Sequence, residues 1–307
     1  MNRRDFILSS SLLVSAGLAA RAQMPAAAPG TPAPTPTEFR PLRRGVGIFT
    51  GRGGTIGWLA NKDALVVVDT QFPDTASLCL AGLPERGART LDVVINTHHH
   101  GDHTGGNPIF KAVSKTIVAH ANVPKLQAAA AEKANTLDKQ VYADATFTDV
   151  WRRELGGEMI TAQYHGTGHT SGDVIVHFEK ANVVHMGDLM FNRLDPVIDR
   201  GSGGSFRHWI TVLEEAAKTY PADAIYVFGH GNPDFGVTGK RGDLLIFRDY
   251  VSGLLAHVQK EIAAGNSKEQ IAALENLPGF TDFHLKLPNR MSGNLTAAYD
   301  ELTEKKS

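Results

Sequence analysis

The chain reads as an α/β protein, and three features of its sequence predict this. Short runs rich in β-branched residues alternate with helical runs along most of its length, instead of segregating into a β half and an α half. Several of the short runs end directly on a histidine or an aspartate. After the N-terminal region no second tract of linker composition interrupts the chain, so one catalytic domain, residues 39–307, is expected. An α/β protein whose sheets are covered by helices gathers its functional side chains on loops at one set of strand ends.

In chain order, the first element is MNRRDFILSSSLLVSAGLAARA, with a charged start, an apolar stretch and a small-residue end. The apolar run from Phe6 to Ala20 is diluted by serines and shorter than the about 20 residues that span a bilayer. Arg3 and Arg4 stand side by side before Phe6, and Ala20-Arg21-Ala22 fits an A-x-A cleavage site. Residues 1–22 are therefore expected to be a twin-arginine signal peptide, which places the mature protein in the periplasm or outside the cell, with no stable membrane insertion once it is removed. Residues 23–38, rich in proline, alanine and threonine and without apolar periodicity, are expected to form a disordered tether.

The strand candidates that follow are GVGIFT, TIGWLA, ALVVVDT, LDVVINT, KTIVAH, EMITAQYH, DVIVHF, NVVHMGD and AIYVFGH. The helix candidates are DTASLCLAGL, VPKLQAAAAEKA, FRHWITVLEEAAKTY, DLLIFRDYVSGLLAHVQKEIAAG and SGNLTAAYDELTEK. The cluster Gly51-Arg52-Gly53-Gly54 has neither the lysine of a phosphate loop nor the spacing of a dinucleotide loop, so it is read as closing a hairpin.

Composition narrows the function. With 42% hydrophobic and 21% charged residues, the chain is an ordinary globular protein and not a fibrous or membrane one. The net charge is −1; loss of residues 1–22 removes Arg3, Arg4, Arg21 and Asp5, leaves 28 basic against 31 acidic side chains, and makes it −3. No basic stripe is visible, so a small-molecule substrate is expected and a nucleic-acid partner is not. The single cysteine, Cys79, lies among leucines and reads as a buried core thiol. No G-x-S-x-G elbow is present, which argues against a covalent nucleophile.

The chemistry is carried by histidine and aspartate. LDVVINT runs into His98-His99-His100-Gly101-Asp102-His103, a glycine-containing loop dense in imidazole and carboxylate, the donors that suit zinc. Three later segments repeat the scheme of apolar run, small-residue turn and metal-type side chain: GTGHT with His169, HMGD with Asp188 and FGHG with His230. Each alone is more often a cap or a satisfied polar group. Together with the loop at 98–103 they complete two coordination spheres.

HHHGDH followed in order by GTGHT, GD and GHG resembles the metallo-β-lactamase superfamily, over nearly all of the mature domain. With H-x-H-x-D-H read as His98, His100, Asp102 and His103, the resemblance implies one metal held by His98, His100 and His169 and a second held by Asp102, His103 and His230. Asp188 matches the carboxylate that bridges both ions in the glyoxalase II and lactonase branches. The implied fold is a four-layered αββα sandwich, two mixed sheets flanked by helices, with the metals at one edge between the sheets. Lactamases of the superfamily typically place cysteine or serine where Asp188 stands, so its carboxylate weakens a β-lactamase reading.

The expected activity is that of an exported dinuclear zinc hydrolase. Two zinc ions about 3.5–4 Å apart can share a water whose pKa falls to about 7, giving a metal-bridging hydroxide that attacks a lactam, lactone, ester or thioester carbonyl. Asp102 is expected both as a ligand and as the catalytic proton acceptor. Iron and manganese remain open as alternatives to zinc, as do an iron-dependent sulfur dioxygenase-like oxidoreductase, a cyclic-nucleotide phosphodiesterase and a non-catalytic metal carrier.

Around this set, His99 receives no metal role, and His120, His165, His177, His185, His208, His257 and His284 are read as structural, His165 and His185 being the ones expected near the site. Asp69, at the end of ALVVVDT, is read equally as orienting a ligand histidine from behind or as a strand-end turn residue. Asn192 and Arg193 lie in a long polar loop after Asp188 and are read as solvated rather than as substrate contacts.

Overall fold

In the computed structural model, which describes residues 36–283, 285 and 287–304, the period-two alternation of each strand sorts the chain into layers. The first sheet runs in sequence order through β1 (Glu38–Arg43), β2 (Val46–Thr50), β3 (Ile56–Ala60), β4 (Leu65–Val68), β5 (Val93–Asn96), β6 (Ile117–His120) and β7 (Ala145–Phe147). Its first four strands are antiparallel and joined by short turns. From β4 onward pairing is parallel, which demands crossovers. These are made by α1 (Pro73–Gly82), by α2 (Gly101–Thr104) with α3 (Asn107–Lys111), and by α4 (Val123–Lys133).

The second sheet contains β8 (Val150–Leu155), β9 (Glu158–Tyr164), β10 (Val174–Phe178), β11 (Val183–His185), β13 (Ile225–Val227) and β15 (Thr238–Gly239), in the spatial order β15-β13-β11-β10-β9-β8. Only its β11–β13 pair is parallel, and α5 (Phe206–Thr219) lies on the chain between those two strands. A separate parallel pair joins β12 (Phe191–Asn192) to β14 (His230–Gly231). The C-terminal region adds α6 (Arg241–Ala263), α7 (Lys268–Ala272) and α8 (Arg290–Thr303).

Alternate residues of one strand enter different cores. Val66 and Val68 face Val174, Val176 and Phe178 across the space between the sheets. The intervening Leu65 and Val67 pack outward with Ala76, Cys79 and Phe110, under α1 and α3. On the far side, Ile175, Val184 and Tyr226 pack against Trp209 and Leu213 of α5 and Phe247 and Leu254 of α6. The result is helix, sheet, sheet, helix: the four-layered αββα sandwich with two mixed sheets. Cys79 is fully buried, and burial pushes its thiol pKa far up, so it is an inert core group.

Several details differ from the sequence reading. β1, β7 and β8 were not expected: EFRPLR carries a proline and charges, and in β8 the exposed Arg152, Arg153 and Glu154 stand in a row. β1 begins at Glu38, one residue before the expected domain boundary. The glycine-containing stretch after His100 is a short helix, α2, and not an open loop. The expected signal, residues 1–22, residues 23–35 of the expected tether and His284 lie outside the described residues. Among the described residues no helix is long and apolar enough to cross a membrane.

Candidate metal centre

The expected ligands all come from the C-terminal ends of strands in both sheets. His98 and His100 follow β5, and Asp102 and His103 ride on α2 directly after them. His169 follows β9, Asp188 sits in a tight turn after β11, and His230 opens β14 just beyond β13. The seven side chains converge into two groups. His98, His100, His169 and Asp188 present donor atoms within 4.8 Å of one another, as do Asp102, His103 and His230.

Asp188, buried in the centre, touches both groups. Its Oδ1 is 3.0 Å from His103 Nε2. Its Oδ2 is 3.4 Å from His230 Nε2, 3.6 Å from His169 Nε2 and 3.8 Å from His98 Nε2. Within the groups, His100 Nδ1 is 2.8 Å from His169 Nε2, and His230 Nε2 is 3.1 Å from Asp102 Oδ2 and 3.4 Å from His103 Nε2. Tetrahedral zinc with bonds of 2.0–2.1 Å needs its ligand atoms about 3.3 Å apart, close to these separations. His98 Nε2 is shielded from water with no hydrogen-bond partner among the described residues, an orphan that a cation in the first group would satisfy. The residues fit a pair of divalent ions.

The ligand rings are held from behind. His98 Nδ1 is 3.1 Å from Thr97 Oγ1, whose hydroxyl donates to Asp69 Oδ2 at 2.7 Å. The same Asp69 oxygen lies 2.7 Å from His103 Nδ1, and Asp69 Oδ1 accepts from the Thr97 amide. His169 Nδ1 donates to the Val197 carbonyl at 2.6 Å, and His100 Nε2 lies 3.1 Å from Asp199 Oδ2. Anchoring the outer ring nitrogen fixes the tautomer and aims the inner one. Two glycines permit the close packing: a Cβ on Gly54 would fall 2.0 Å from the His103 ring, and one on Gly229 would fall 2.0 Å from Asp188 Oδ1. The expected hairpin at Gly51–Gly54 does join β2 to β3, and it also forms a wall of the centre.

The electrostatics divide the groups. Burial pushes the His98 imidazole well below its ordinary pKa and takes His169 down to about 3, so both are neutral donors. In the second group burial also opposes the charged form, but the carboxylates outweigh it: His103 is raised well above the ordinary value and His230 to about 9. Burial works to raise Asp102, yet the neighbouring His103 and the hydrogen bond from His230 hold it at about 2. Hydrogen bonds from His100 and His99 hold Asp199 far below the carboxylate range. These carboxylates demand positive charge, which the second group's imidazoles supply by protonation and a divalent ion would supply in their place.

Asp69 has the backing role, the first of its two readings. His99 has Nε2 3.2 Å from Ser202 Oγ and 3.6 Å from Asp199 Oδ2, and against the expectation of no metal role it forms, with His100 and Asp199, a third group whose donor atoms lie within 4.8 Å of one another. His185 lies behind the site, its Nε2 3.0 Å from the Thr55 carbonyl, whereas His165 turns away to the Tyr220 hydroxyl at 2.8 Å. The reading of Asn192 and Arg193 as solvated is corrected. They are 3% and 8% exposed, because β12 pairs with β14; Asn192 Nδ2 donates to the Gly236 carbonyl and Arg193 Nη1 to Asp243 Oδ1. Four contributors had no sequence signal: the Val197 carbonyl, Asp199, Phe72 and Arg290. An open cleft of about 600 Å³ is lined by Phe72, His100, Asp102, Val197 and His230, and a pocket of about 170 Å³ reaches deeper to Asp188, Leu287 and Arg290.

A sequence model described as "Metallo-beta-lactamase superfamily" matches residues 49–230, from the end of β2 to the last ligand. The chain belongs to the metallo-beta-lactamase superfamily. It is 34% identical to a hydroxyacylglutathione hydrolase from Methylococcus capsulatus over 119 residues, 39% of this chain and 41% of that one. A hydroxyacylglutathione hydrolase from Cereibacter sphaeroides is 27% identical over 222 residues, 67% of this chain and 78% of the other. The chain thus spans less than half of the Methylococcus relative. Among solved structures, a metallo-beta-lactamase from Pontibacter korlensis superposes with a TM-score of 0.58 at 18% identity, covering 71% of this chain and 99% of that one, a likeness of fold. This member of the metallo-beta-lactamase superfamily gathers histidine and aspartate side chains into clusters that could hold metal ions.

Proposed function

We propose that this superfamily member is an exported dinuclear zinc hydrolase of small carbonyl substrates, with thioesters foremost. The observation that carries the two-ion reading is Asp188, whose carboxylate touches both groups, Oδ1 against His103 and Oδ2 among His230, His169 and His98. Thioesters are favoured over lactams by the carboxylate at 188 and by the hydroxyacylglutathione hydrolases among the relatives.

His98, His100 and His169 would hold one ion, Asp102, His103 and His230 the other, and Asp188 both. Zinc in such a site supplies Lewis acidity and a water acidic enough to attack at neutral pH. The chain's own residues do the rest. Asp69, Thr97, Val197 and Asp199 keep the rings aimed. Asp102 lines the cleft as a carboxylate and would be the acceptor for the proton released by the attacking water. Phe72 and Val197 give the cleft apolar walls that orient a substrate and exclude water from one side.

The test is turnover of a thioester, a lactone, a lactam and a phosphodiester by the zinc-loaded protein. Zinc-dependent cleavage of the thioester is expected. Cleavage of the phosphodiester alone, or one iron per chain with an inert panel, would overturn the reading. Export is checked separately: with Arg3→Lys and Arg4→Lys together, precursor should accumulate in the cytoplasm, and undiminished export would count against the twin-arginine route.

A further inference from the structure

His99 lies between the ligands His98 and His100 in the chain and is buried, 3% exposed. Its Nε2 reaches Ser202 Oγ at 3.2 Å and Asp199 Oδ2 at 3.6 Å. Both partners belong to the loop that joins β12 to α5. That loop backs two ligands of the first group: Asp199 Oδ2 is 3.1 Å from His100 Nε2, and the Val197 carbonyl accepts from His169 Nδ1 at 2.6 Å. In the second group His103 Nδ1 rests instead on Asp69.

The protons fix the direction of each bond. Ser202 has a single hydroxyl proton, which it gives to Asp199 Oδ2 at 2.6 Å, so towards His99 its oxygen can only accept. His99 therefore carries a proton on Nε2 and donates it. The opposite tautomer would place an N–H on Nδ1, which is shielded from water and has no partner among the described residues. A buried N–H without an acceptor is the costlier orphan. His100, whose Nδ1 lies 2.8 Å from His169 Nε2 on the side of the first ion position, likewise presents Nε2–H to Asp199. An ion among His99, His100 and Asp199 would have to displace both N–H protons and leave His99 with its proton on the shielded Nδ1. This third group is a hydrogen-bonded support, not a third ion site.

We propose that His99 is a positioning residue: its Nε2–H pins the loop at Ser202 and Asp199, and the pinned loop aims His100 and His169 at the first ion. Removing it loosens one ion position and spares the other. The selectivity between ions rests on the two-ion reading above, whereas the hydrogen-bond chain does not.

The test is zinc titration of the protein against a competing chelator, with X-ray absorption to count imidazoles per zinc. His99→Phe fills the place of the ring and removes the donor, and His99→Gln returns an N–H. His99→Phe should weaken one of two zinc ions about 10- to 100-fold, the range for loss of an outer partner, and leave the other within about threefold. The zinc that stays should show two imidazoles, those of His103 and His230, and not the three of His98, His100 and His169. His99→Gln should recover much of the lost affinity. Should His99→Phe fail to fold, Ser202→Ala removes the acceptor at the other end of the same bond and should give the same selective weakening. Equal weakening of both ions, no weakening, or a remaining zinc with three imidazoles would overturn the proposal, as would a third zinc equivalent in wild type that His99→Phe abolishes. If wild type holds a single zinc, the two-ion reading fails; the positioning role then stands if His99→Phe weakens that zinc by the same factor and His99→Gln restores it, and falls if the affinity is unchanged.

Discussion

Asp69 shows how much of the centre depends on one side chain that touches no ion position. It is fully buried, adopts a left-handed φ of 64°, and spends its carboxylate on the Thr97 amide, the Thr97 hydroxyl and His103 Nδ1. Through Thr97 it also orients His98, so one carboxylate aims a ligand in each group. Asp69→Asn keeps the volume but presents an amide N–H where an acceptor is needed. We expect a 10- to 100-fold loss of zinc affinity in titration against a competing chelator, the range seen when such outer partners are removed. Unchanged affinity would show that the rings are held without it. The seven candidate ligands could be picked out in the sequence because few residue types bind zinc and each followed an apolar run. The Val197 carbonyl was not legible, since a backbone group is the same in every residue. Arg290 lies on the C-terminal helix, far in sequence from any ligand, and nothing marks it before folding.

At the scale of elements, α5 and α8 depend on each other through Glu301. This buried carboxylate on α8 accepts from the Phe206 and Arg207 amides and from the Ser205 hydroxyl, meeting the free N–H groups at the start of α5. Glu301→Ala should cost about 2–3 kcal/mol, since it strands a buried amide that had a charged acceptor. For a domain of this size that lowers Tm by roughly 5–10 °C, readable by calorimetry. A shift under about 1 °C would mean that water replaces the carboxylate freely. The amphipathic pattern of FRHWITVLEEAAKTY predicted α5 well, because Phe206, Trp209, Leu213 and Ala216 recur at helical spacing on its buried face. The partnership with Glu301 was hidden because it joins residues about a hundred positions apart. β1 and β8 were hidden for another reason: they are edge strands, so charge and proline break the alternation that identifies inner strands.

Across the whole molecule, the two sheets meet at the centre. His98 through His103 come from the first sheet, and His169, Asp188 and His230 from the second, so bound ions would tie the sheets together at the edge where the strands end. The α/β class with helix-covered sheets was readable because short β-branched runs alternate with helical ones, whereas the four layers followed from the resemblance carried by HHHGDH and the later motifs. The close approach of the sheets at that edge was not readable. It needs Gly54 against His103 and Gly229 against Asp188, contacts that link distant segments.

The two-ion centre bridged by Asp188 is tested most directly by elemental metal content per chain, measured on wild type and on Asp188→Ala. Near two zinc ions in the wild type and at most one in the variant, with turnover lost, is the result expected. Two tightly held ions and normal turnover in Asp188→Ala, or a wild type that never takes up more than one ion, would contradict it.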